Sequence, residues 1–345
     1  MEPTILQAIA DQLEALGQPR YRIDQVRQAW FTQPDWTKVT TLPKALRDQL
    51  ASEYRWSSLE TVKVFHSPKD STQKAIITLA DGAKVESVLM PNSRGTQTIC
   101  VSSQVGCGMG CTFCATGTMG LKRNLSVDEI VDQVRYWRLH NTGPDITNIV
   151  FMGMGEPLAN MPVVKQAIHS LITDLGIGKT RIVLSTVAFP GALKRLVTEP
   201  DFPDVRLAIS LHAGTDATRG KIVPSHKRQS IKQIVEGVEA YLAARHNRRH
   251  HVTFEYVMLL DVNDMPSEAK ALVKTFRHLQ HQIKFNLIPW NQTDAKLKRS
   301  SEEHLHIFRD ILTQAGLQAT IRYSKGLDIA AACGQLVVKE VTSQV

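Results

Sequence analysis

From about residue 97 onward, strand-like runs and helical runs alternate along this sequence. The strand-like runs lie at 97–102, 146–152, 181–186, 205–211, 252–260 and 283–288, with a last one at 319–323. The helical runs lie near 127–140, 161–174, 190–197, 230–245, 267–281 and 301–315. Such alternating β/α units predict an α/β fold with a parallel sheet, either doubly wound or forming an incomplete (β/α) barrel. In both architectures, functional groups gather at the carboxyl ends of the strands.

The residues before this alternation predict two smaller units. Ile5, Ile9 and Leu13 share one helical stripe, and further helices are expected around Val26 and over 44–52. Two strand-like runs flank Asp81-Gly82, which is a strong hairpin signal. The predicted organisation is a helical accessory domain at 1–72, a hairpin linker at 73–92, an α/β core at 93–335 and a tail at 336–345.

The loop after the first predicted strand of the core is rich in cysteine. Cys107, Cys111 and Cys114 follow a C-x3-C-x2-C spacing, and Cys100 lies just before them. Thiolates this close together indicate a soft-metal or iron–sulfur site, and their clustering disfavours the alternative of buried apolar cysteines. A structural zinc site would need four ligands. His212 could complete one, but the single C-x2-C pair and the x3 spacing are unusual for zinc.

Polar and small residues also follow the other predicted strands. They comprise Gly153-Met-Gly155-Glu156-Pro157 after the second strand, Ser185 and Thr186 at the third, Ser210-Leu211-His212 at the fourth, and Pro289-Trp-Asn291 after the sixth. Because carboxyl ends of parallel strands meet at one edge, we expect these groups to converge with the cysteine loop. A lone Gly-x-Gly-Glu could be only a tight strand-to-helix turn. Its position after a cysteine loop and a second strand makes it a stronger signal.

The positive charge of the chain is concentrated in one window. Residues 219–299 carry fifteen basic and seven acidic side chains, a surplus of eight that equals the net charge of +8. A charged run is often only a solvated surface, but this concentration favours a polyanionic partner such as nucleic acid. No apolar run approaches the ~18 residues of a membrane span, and no signal peptide is recognised at the amino terminus. We therefore expect a protein of the reducing cytoplasm.

Several of these motifs together resemble a known family. The C-x3-C-x2-C spacing with Phe113 before the last cysteine resembles the signature of the radical S-adenosylmethionine (SAM) superfamily. Gly153-Met-Gly-Glu156 resembles the Gly-Gly-Glu element that holds the amino group of SAM in that superfamily. Over nearly the whole chain, the sequence resembles the RlmN/Cfr family of radical methyl synthases. The longer stretches that carry this resemblance are 151–157, 210–212, 288–291 and 328–336.

The resemblance implies a fold, an activity and a set of cofactors. The implied fold is an incomplete (β/α)6 radical SAM barrel with a small N-terminal helical domain. The family methylates an adenine ring carbon of 23S rRNA, and one branch also modifies tRNA. Residues 111–117 and 124–130 look closer to the Cfr-like branch, but the choice between carbon 2 and carbon 8 stays open. Cys107, Cys111 and Cys114 are the implied ligands of a [4Fe–4S] cluster with one open iron.

The resemblance also implies the SAM contacts. They are Gly155, Glu156, Ser185, Ser210, Leu211, His212 and Asn291. The chain departs from the family pattern at two places: Ser185-Thr-Val-Ala lacks a glycine found in relatives, and Asn291-Gln-Thr-Asp lacks a Pro/Gly-rich loop. These departures affect the expected substrate contacts more than the expected chemistry.

Three further residues receive catalytic roles by the same resemblance. Cys333 is the cysteine that is methylated by one SAM before a second SAM generates the radical. Glu86 matches the general base, although strand alternation alone favours an edge-strand gatekeeper at this position. Cys100 matches the resolving thiol, which forms a transient disulfide with Cys333.

The implied partners are 23S rRNA, with tRNA for one branch, and an electron donor of flavodoxin type or another kind. A monomer without membrane association is expected. Two other functions remain open at this point. A zinc-stabilised RNA-binding protein without catalysis would explain the cysteines and the basic window but not Cys333. A radical enzyme acting on a peptide or metabolite would not need the basic window.

Overall fold

Twelve strands are present in the computed structural model, which describes residues 3–225, 229–244 and 251–338. The strands are β1 (Leu59–His66), β2 (Gln73–Leu79), β3 (Lys84–Pro91), β4 (Gln97–Cys100), β5 (Gln104–Cys107), β6 (Gly120–Asn124), β7 (Ile146–Phe151), β8 (Ile182–Thr186), β9 (Arg206–Ser210), β10 (Val252–Met258), β11 (Ile283–Pro289) and β12 (Gln318–Ile321). Ten of them form one sheet in the order β1-β2-β3-β4-β7-β8-β9-β10-β11-β12, while β5 and β6 form a separate hairpin.

Eleven α-helices accompany these strands in the described ranges. They are α1 (Ile5–Ala15), α2 (Tyr21–Thr32), α3 (Lys44–Glu53), α4 (Ala115–Thr118), α5 (Val127–His140), α6 (Met161–Thr173), α7 (Ala192–Thr198), α8 (Asp216–Ile222), α9 (Ile231–Ala244), α10 (Pro266–Phe276) and α11 (Glu302–Gln314). Helix α5 begins at a capping box in which Ser126 and Glu129 each bond the other's backbone N–H. None of the helices described is both long and apolar enough to cross a membrane.

The strands from β4 to β12 that belong to the large sheet all pair in parallel. Their order in the sheet follows their order in the sequence, and helices lie in the connections between them. Ile149, Leu184, Ile209, Phe254 and Phe285, one from each of five neighbouring strands, are buried in the core. The predicted α/β fold with a parallel sheet is thus confirmed.

The first three strands extend this sheet in antiparallel fashion. The predicted hairpin at Asp81-Gly82 joins β2 to β3, and β3 pairs with β4. The hairpin is therefore continuous with the parallel strands. Strand β1 was not foreseen in the sequence, because its mostly part-exposed residues lack a clear alternation. The domain boundaries stay a prediction.

The three N-terminal helices have a hydrophobic cluster of their own, which includes Ile9, Leu13 and Trp30. Helix α5 links this module to the sheet. The Arg135 guanidinium lies 4.3 Å from the centroid of the Trp30 ring and donates to the Trp56 carbonyl at 2.8 Å. Asp132 pairs with Arg135 and accepts the Ser58 backbone N–H at 2.7 Å. The helical module is thus bonded to the core by buried charged groups.

Candidate active site

A cavity of about 150 Å³ lies at the carboxyl ends of the parallel strands. It is lined by residues of the cysteine loop, of the turn after β7, of the ends of β8 and β9, and of the C-terminal loop. Sequence reasoning singled out most of these polar residues, and the structure brings them together as expected from the topology. Those in the lining are Cys107, Cys111, Cys114, Gly155, Glu156, Ser185, Ser210, His212, Asn291 and Cys333.

The cysteine loop is held by the β5–β6 hairpin and by three later segments. Thr112 N–H donates to the Ile222 carbonyl at 3.0 Å, and the Trp290 indole N–H donates to the Phe113 carbonyl at 3.1 Å. Ala115 N–H donates to the Gly334 carbonyl at 2.8 Å. The cysteine loop is therefore tied directly to the loop that carries Cys333.

The three loop cysteines are half-buried in the wall of the first cavity. Burial is the largest cause that raises the pKa of Cys107, to about 11, and it raises the pKa values of Cys111 and Cys114 as well. Neighbouring thiolate charges add to this effect at each of the three sulfurs. Three buried thiols that repel one another as thiolates suit a cationic metal centre, which would stabilise their charged forms.

The arrangement fits a multi-iron cluster better than a single zinc ion. The fourth ligand considered for zinc, His212, uses its Nδ1 to accept the Val257 backbone N–H at 3.1 Å. Three separated thiols facing one cavity match the ligand set of a [4Fe–4S] cluster with one open iron.

The turn after β7 is shaped by Glu156. Its carboxylate accepts the Leu158 N–H at 3.0 Å and the Val187 N–H at 2.9 Å. Burial raises the pKa of Glu156 to about 7, against the effect of these hydrogen bonds. The group therefore favours a cationic ligand nearby, such as an ammonium, which would stabilise its ionised form.

Gly155 brings this turn against the neighbouring loop. Its φ is +103°, and an added Cβ would lie 2.6 Å from the Cβ of Gln104 and 2.8 Å from its backbone nitrogen. The Gln104 side chain accepts the Glu156 N–H at 2.8 Å. A side chain at position 155 would displace Gln104 and the turn together, because backbone atoms cannot move aside freely.

We expect Gly155→Ala to weaken SAM binding by about tenfold or more, since ~1–2 kcal/mol of backbone strain adds to the clash. Equilibrium dialysis with labelled SAM measures the loss. Gly176→Ala is the matched control, because Gly176 also has a positive φ, of +68°, but no atom near its would-be Cβ. Equal affinities of the two variants would contradict the close approach at Gly155.

The ends of β8 and β9 add further polar groups. The hydroxyls of Ser185 and Ser210 lie 3.4 Å apart at the cavity. His212 adopts a left-handed φ of +61° and packs its ring edgewise against Phe113. Burial and the nearby Arg219 lower the pKa of His212 to about 3, so its imidazole is neutral. Leu211 is buried outside the lining, and its carbonyl accepts the Arg219 Nε–H at 2.9 Å.

A second cavity, of about 380 Å³, adjoins the first. Cys100 and Cys333 both line it, and Cys333, Arg322 and Met152 line both cavities. All five cysteines, each within the described ranges, are free. Burial, with a smaller effect of Cys333, raises the pKa of Cys100 to about 12. The two cysteines thus share one cavity, while the other three line the first.

The loop that carries Cys333 is tethered by side chains from several elements. The Asn291 side-chain amide donates to the Cys333 carbonyl at 2.9 Å and to the Ser324 hydroxyl at 2.8 Å. Gly326, in a left-handed conformation with φ +67°, donates its N–H to Asp70 at 2.7 Å. Asn291 therefore positions the cysteine loop in addition to lining the first cavity.

Glu86 lies outside both linings. It is fully buried, 3.0 Å from Lys74 Nζ, and its Oε2 accepts the Val337 N–H at 2.9 Å. Leu336, the neighbour of Val337, lines the second cavity. Val337 therefore covers the Glu86 carboxyl, and its neighbour Leu336 faces the cavity. Burial raises the pKa of Glu86, and the charge of Lys74 opposes that rise.

Sequence reasoning missed two arginines at this site. Arg322 directly follows β12, and its charge opposes the rise that burial causes in the pKa values of Cys100 and Cys333. The strand-end rule, applied to the last strand, could have found it. Arg219 was counted with the basic window, but it is only 1% exposed and belongs to the interior. Other members of that window lie outside the described residues: Lys227, Arg228, Arg245, Arg248 and Arg249.

A parallel sheet with three cysteines after its first strand and a Gly-x-Gly-Glu turn after its second defines a radical SAM protein. The chain matches the radical SAM superfamily over residues 101–273. It is 41% identical to a probable dual-specificity RNA methyltransferase RlmN of Thermosynechococcus vestitus, covering 94% of each chain. It is also 41% identical to the dual-specificity RNA methyltransferase RlmN of Halorhodospira halophila, covering 94% of this chain and 89% of that protein.

A solved structure of a radical SAM methyltransferase is also similar to this chain. The crystal structure of a radical SAM methyltransferase from Sphaerobacter thermophilus has a TM-score of 0.89 and 39% identity to this chain, covering 96% of this chain and 97% of that one. The chain belongs to the RlmN family of radical SAM methyltransferases. The family resemblance and the enzyme class expected from the sequence are thereby confirmed.

Proposed function

We propose that this enzyme methylates a ring carbon of adenine in 23S rRNA and in tRNA through a methylated Cys333, consuming two SAM per turnover. The relatives named above are dual-specificity RNA methyltransferases. Their names favour the carbon-2 branch with rRNA and tRNA substrates over the Cfr-like, carbon-8 branch. The observation that carries the proposal is the position of Cys333 at the junction of two cavities, with the loop cysteines in one and Cys100 in the other.

The residues around the first cavity fit the cofactors. Cys107, Cys111 and Cys114 would hold the [4Fe–4S] cluster, which when bound supplies the electron that cleaves SAM to a 5′-deoxyadenosyl radical. The turn at Gly155 and Glu156 suits the ammonium of SAM. The polar and backbone groups that remain for the ribose, adenine and carboxylate of SAM are Ser185, Ser210, Leu211, His212 and Asn291.

Cys333 acts first as a nucleophile. Its thiolate attacks the methyl carbon of one SAM, so that an S–CH3 bond forms, the bond from carbon to the sulfonium breaks and S-adenosylhomocysteine leaves. With a second SAM bound and cleaved, the methyl group on Cys333 would lose a hydrogen atom, and its carbon would then bond to the adenine ring. Cys333 is thereby joined covalently to the RNA.

Glu86 and Cys100 release the product. After the adduct has returned one electron to the electron donor, Glu86 takes the proton from the substituted ring carbon. The Cys100 thiolate then attacks the Cys333 sulfur. The S–C bond breaks, its electron pair stays on carbon and binds a proton, and a Cys100–Cys333 disulfide forms. A dithiol must reduce this disulfide before the next turnover.

This sequence of steps requires a movement of the C-terminal segment. Glu86 is covered by Val337, whose N–H it binds. One backbone hydrogen bond of this kind is worth about 1.5–3 kcal/mol when the acceptor is charged, which RNA binding can offset. Displacement of Leu336 and Val337 would expose Glu86 at the edge of the second cavity.

The test is a reaction of the reconstituted enzyme with SAM, a reductant and transcripts of 23S rRNA or tRNA, followed by mass spectrometry of the nucleosides. We expect 2-methyladenosine from both RNAs. A product of 8-methyladenosine would move the enzyme to the Cfr-like branch. Unmodified adenosine in both RNAs, with SAM still cleaved, would contradict an RNA substrate. A monomeric state, a flavodoxin-type electron donor and a cytoplasmic location stay predictions.

A further inference from the structure

A lysine is buried beside the proposed general base. Lys74 on β2 is only 1% exposed, and its Nζ lies 3.0 Å from Glu86 Oε1. Lysine is almost never fully buried unless it is paired. The Lys74 ammonium also lies 3.4 Å from the Ala330 carbonyl and over the ring of Phe65, 5.8 Å from its centroid. The contacts with Ala330 and Glu86 place it under the loop that carries Cys333.

The register of the sheet explains this position. Val88 lies opposite Lys74 on β2 and opposite Cys100 on β4. Glu86 is two residues from Val88, so it lies on the same face and diagonal to both Lys74 and Cys100. The intervening Ser87 faces the other way and bonds the Trp137 indole of α5. Three adjacent strands thus present the lysine, the base and the resolving thiol on one face.

Stability alone does not account for the pair, because burying two charges costs about as much free energy as their attraction returns, and apolar residues of similar volume often stabilise a fold equally well. Lys74 does, however, favour the ionised form of Glu86. Burial pushes the carboxyl towards its protonated form, and the charge and hydrogen bond of Lys74 are the largest opposing causes. Backbone N–H groups of Val337 and Val338 assist, and Cys100 is the other titratable side chain diagonal to Glu86.

We infer that Lys74 is a positioning residue for the proton-removal step, holding the Glu86 carboxyl ionised and aimed at the face that carries Cys100. This inference rests on the proposed role of Glu86 as general base. In the step itself, the ring C–H bond of the adduct breaks, the proton moves to a Glu86 oxygen, and the electron pair stays in the ring. Lys74 keeps its own proton throughout and remains a cation.

Without the lysine charge, the pKa of Glu86 should rise further. The base works only when it is deprotonated, so the rate of adduct resolution should follow the ionised fraction of Glu86. In Lys74→Met, the rising limb of the pH–rate profile should therefore move to higher pH by at least about one unit. At any pH on that rising limb, the adduct should persist about tenfold longer than in the wild type at the same pH, and alkaline buffer should restore part of the rate.

The experiment follows the decay of the covalent RNA–protein adduct in single turnovers across pH. Lys84→Met is the matched control, because Lys84 is an exposed lysine on the neighbouring strand β3. Mass spectrometry of Cys333 methylation, which does not use Glu86, reports whether each variant is folded and able to bind SAM. Lys74→Arg keeps the positive charge and should keep the wild-type profile.

The outcomes separate this inference from the proposed function. Glu86→Gln should leave the adduct unresolved at every pH, and its resolution at the wild-type rate would overturn the role of Glu86 itself. If Glu86→Gln traps the adduct but Lys74→Met resolves it with an unshifted profile, the inference about Lys74 is wrong. If Lys74→Met cannot methylate Cys333, the pH–rate profile of Lys74→Arg is used instead. A shift of that profile would contradict the role of the lysine charge.

Discussion

Replacing Cys333 with Ala is expected to abolish RNA methylation. The thiol is the proposed carrier of the methyl group, and among the described cysteines only Cys333 lines both cavities. The variant removes the sulfur but keeps the backbone carbonyl that accepts from Asn291 and the neighbouring Gly334 carbonyl that accepts from Ala115. The loop should therefore stay in place, and the loss of product should be complete.

Three measurements check this expectation. Mass spectrometry should find one added methyl group on Cys333 of the wild type after incubation with SAM alone, and none on the variant. Cleavage of SAM to 5′-deoxyadenosine should persist in the variant, because the three loop cysteines are untouched. Cys333→Ser is the matched control of similar size, and it should be inactive as well, because a hydroxyl is a far weaker nucleophile than a thiolate. Methylated adenosine from Cys333→Ala would contradict the proposed carrier.

Periodicity was sufficient to predict the parallel part of the sheet. Buried parallel strands are continuous apolar runs separated by amphipathic helices, and both patterns are local. The strand-end rule then placed the cysteine loop, Glu156 and His212 on one edge before any side-chain position was known. These parts of the site depend on topology alone, which is why the sequence could predict them.

The short antiparallel strands β5 and β6 were harder to predict than the parallel strands. Strands β5 and β6 have only four and five residues, and β6 is mostly exposed, so they carry too few alternating positions for a signal. Their pairing brackets the cysteine loop and depends on Gly106, whose would-be Cβ would overlap the Gly120 carbonyl. Such a close approach between distant backbone segments leaves no local pattern.

The buried positions of the charged residues Glu86 and Arg219 could not be predicted either, and the reason is different. Alternation placed Glu86 among apolar neighbours, and it therefore suggested a gatekeeper at a sheet edge. Alternation reports which face a residue occupies but not what covers that face. The cover consists of Lys74 from the adjoining strand and Val337 from the far end of the chain. Arg219 was misplaced on the surface for the same reason, since its partners Leu211 and Val187 lie in other loops.

Replacing Cys100 with Ala is expected to trap the RNA on the protein. Cys100 lines the second cavity together with Cys333, and the two lie close enough for the charge of Cys333 to contribute to the raised pKa of Cys100. Without the second thiol, nothing attacks the Cys333 sulfur, so methylation of Cys333 and bond formation to adenine proceed but release stops. The adduct should approach one RNA per active enzyme in a single turnover, while free methylated RNA falls by several orders of magnitude.

A denaturing gel with labelled RNA detects the adduct, and mass spectrometry after nuclease digestion should locate the bound nucleotide on Cys333. Thr98→Ala is the matched control, since Thr98 lies two residues earlier on β4, on the same face, and lines the same cavity without a thiol. That variant should release its product. The double replacement of Cys100 and Cys333 should form no adduct, because the carrier is missing. Normal turnover by Cys100→Ala, with methylated RNA released and no adduct at any time, would remove Cys100 from the mechanism and leave product release to another thiol.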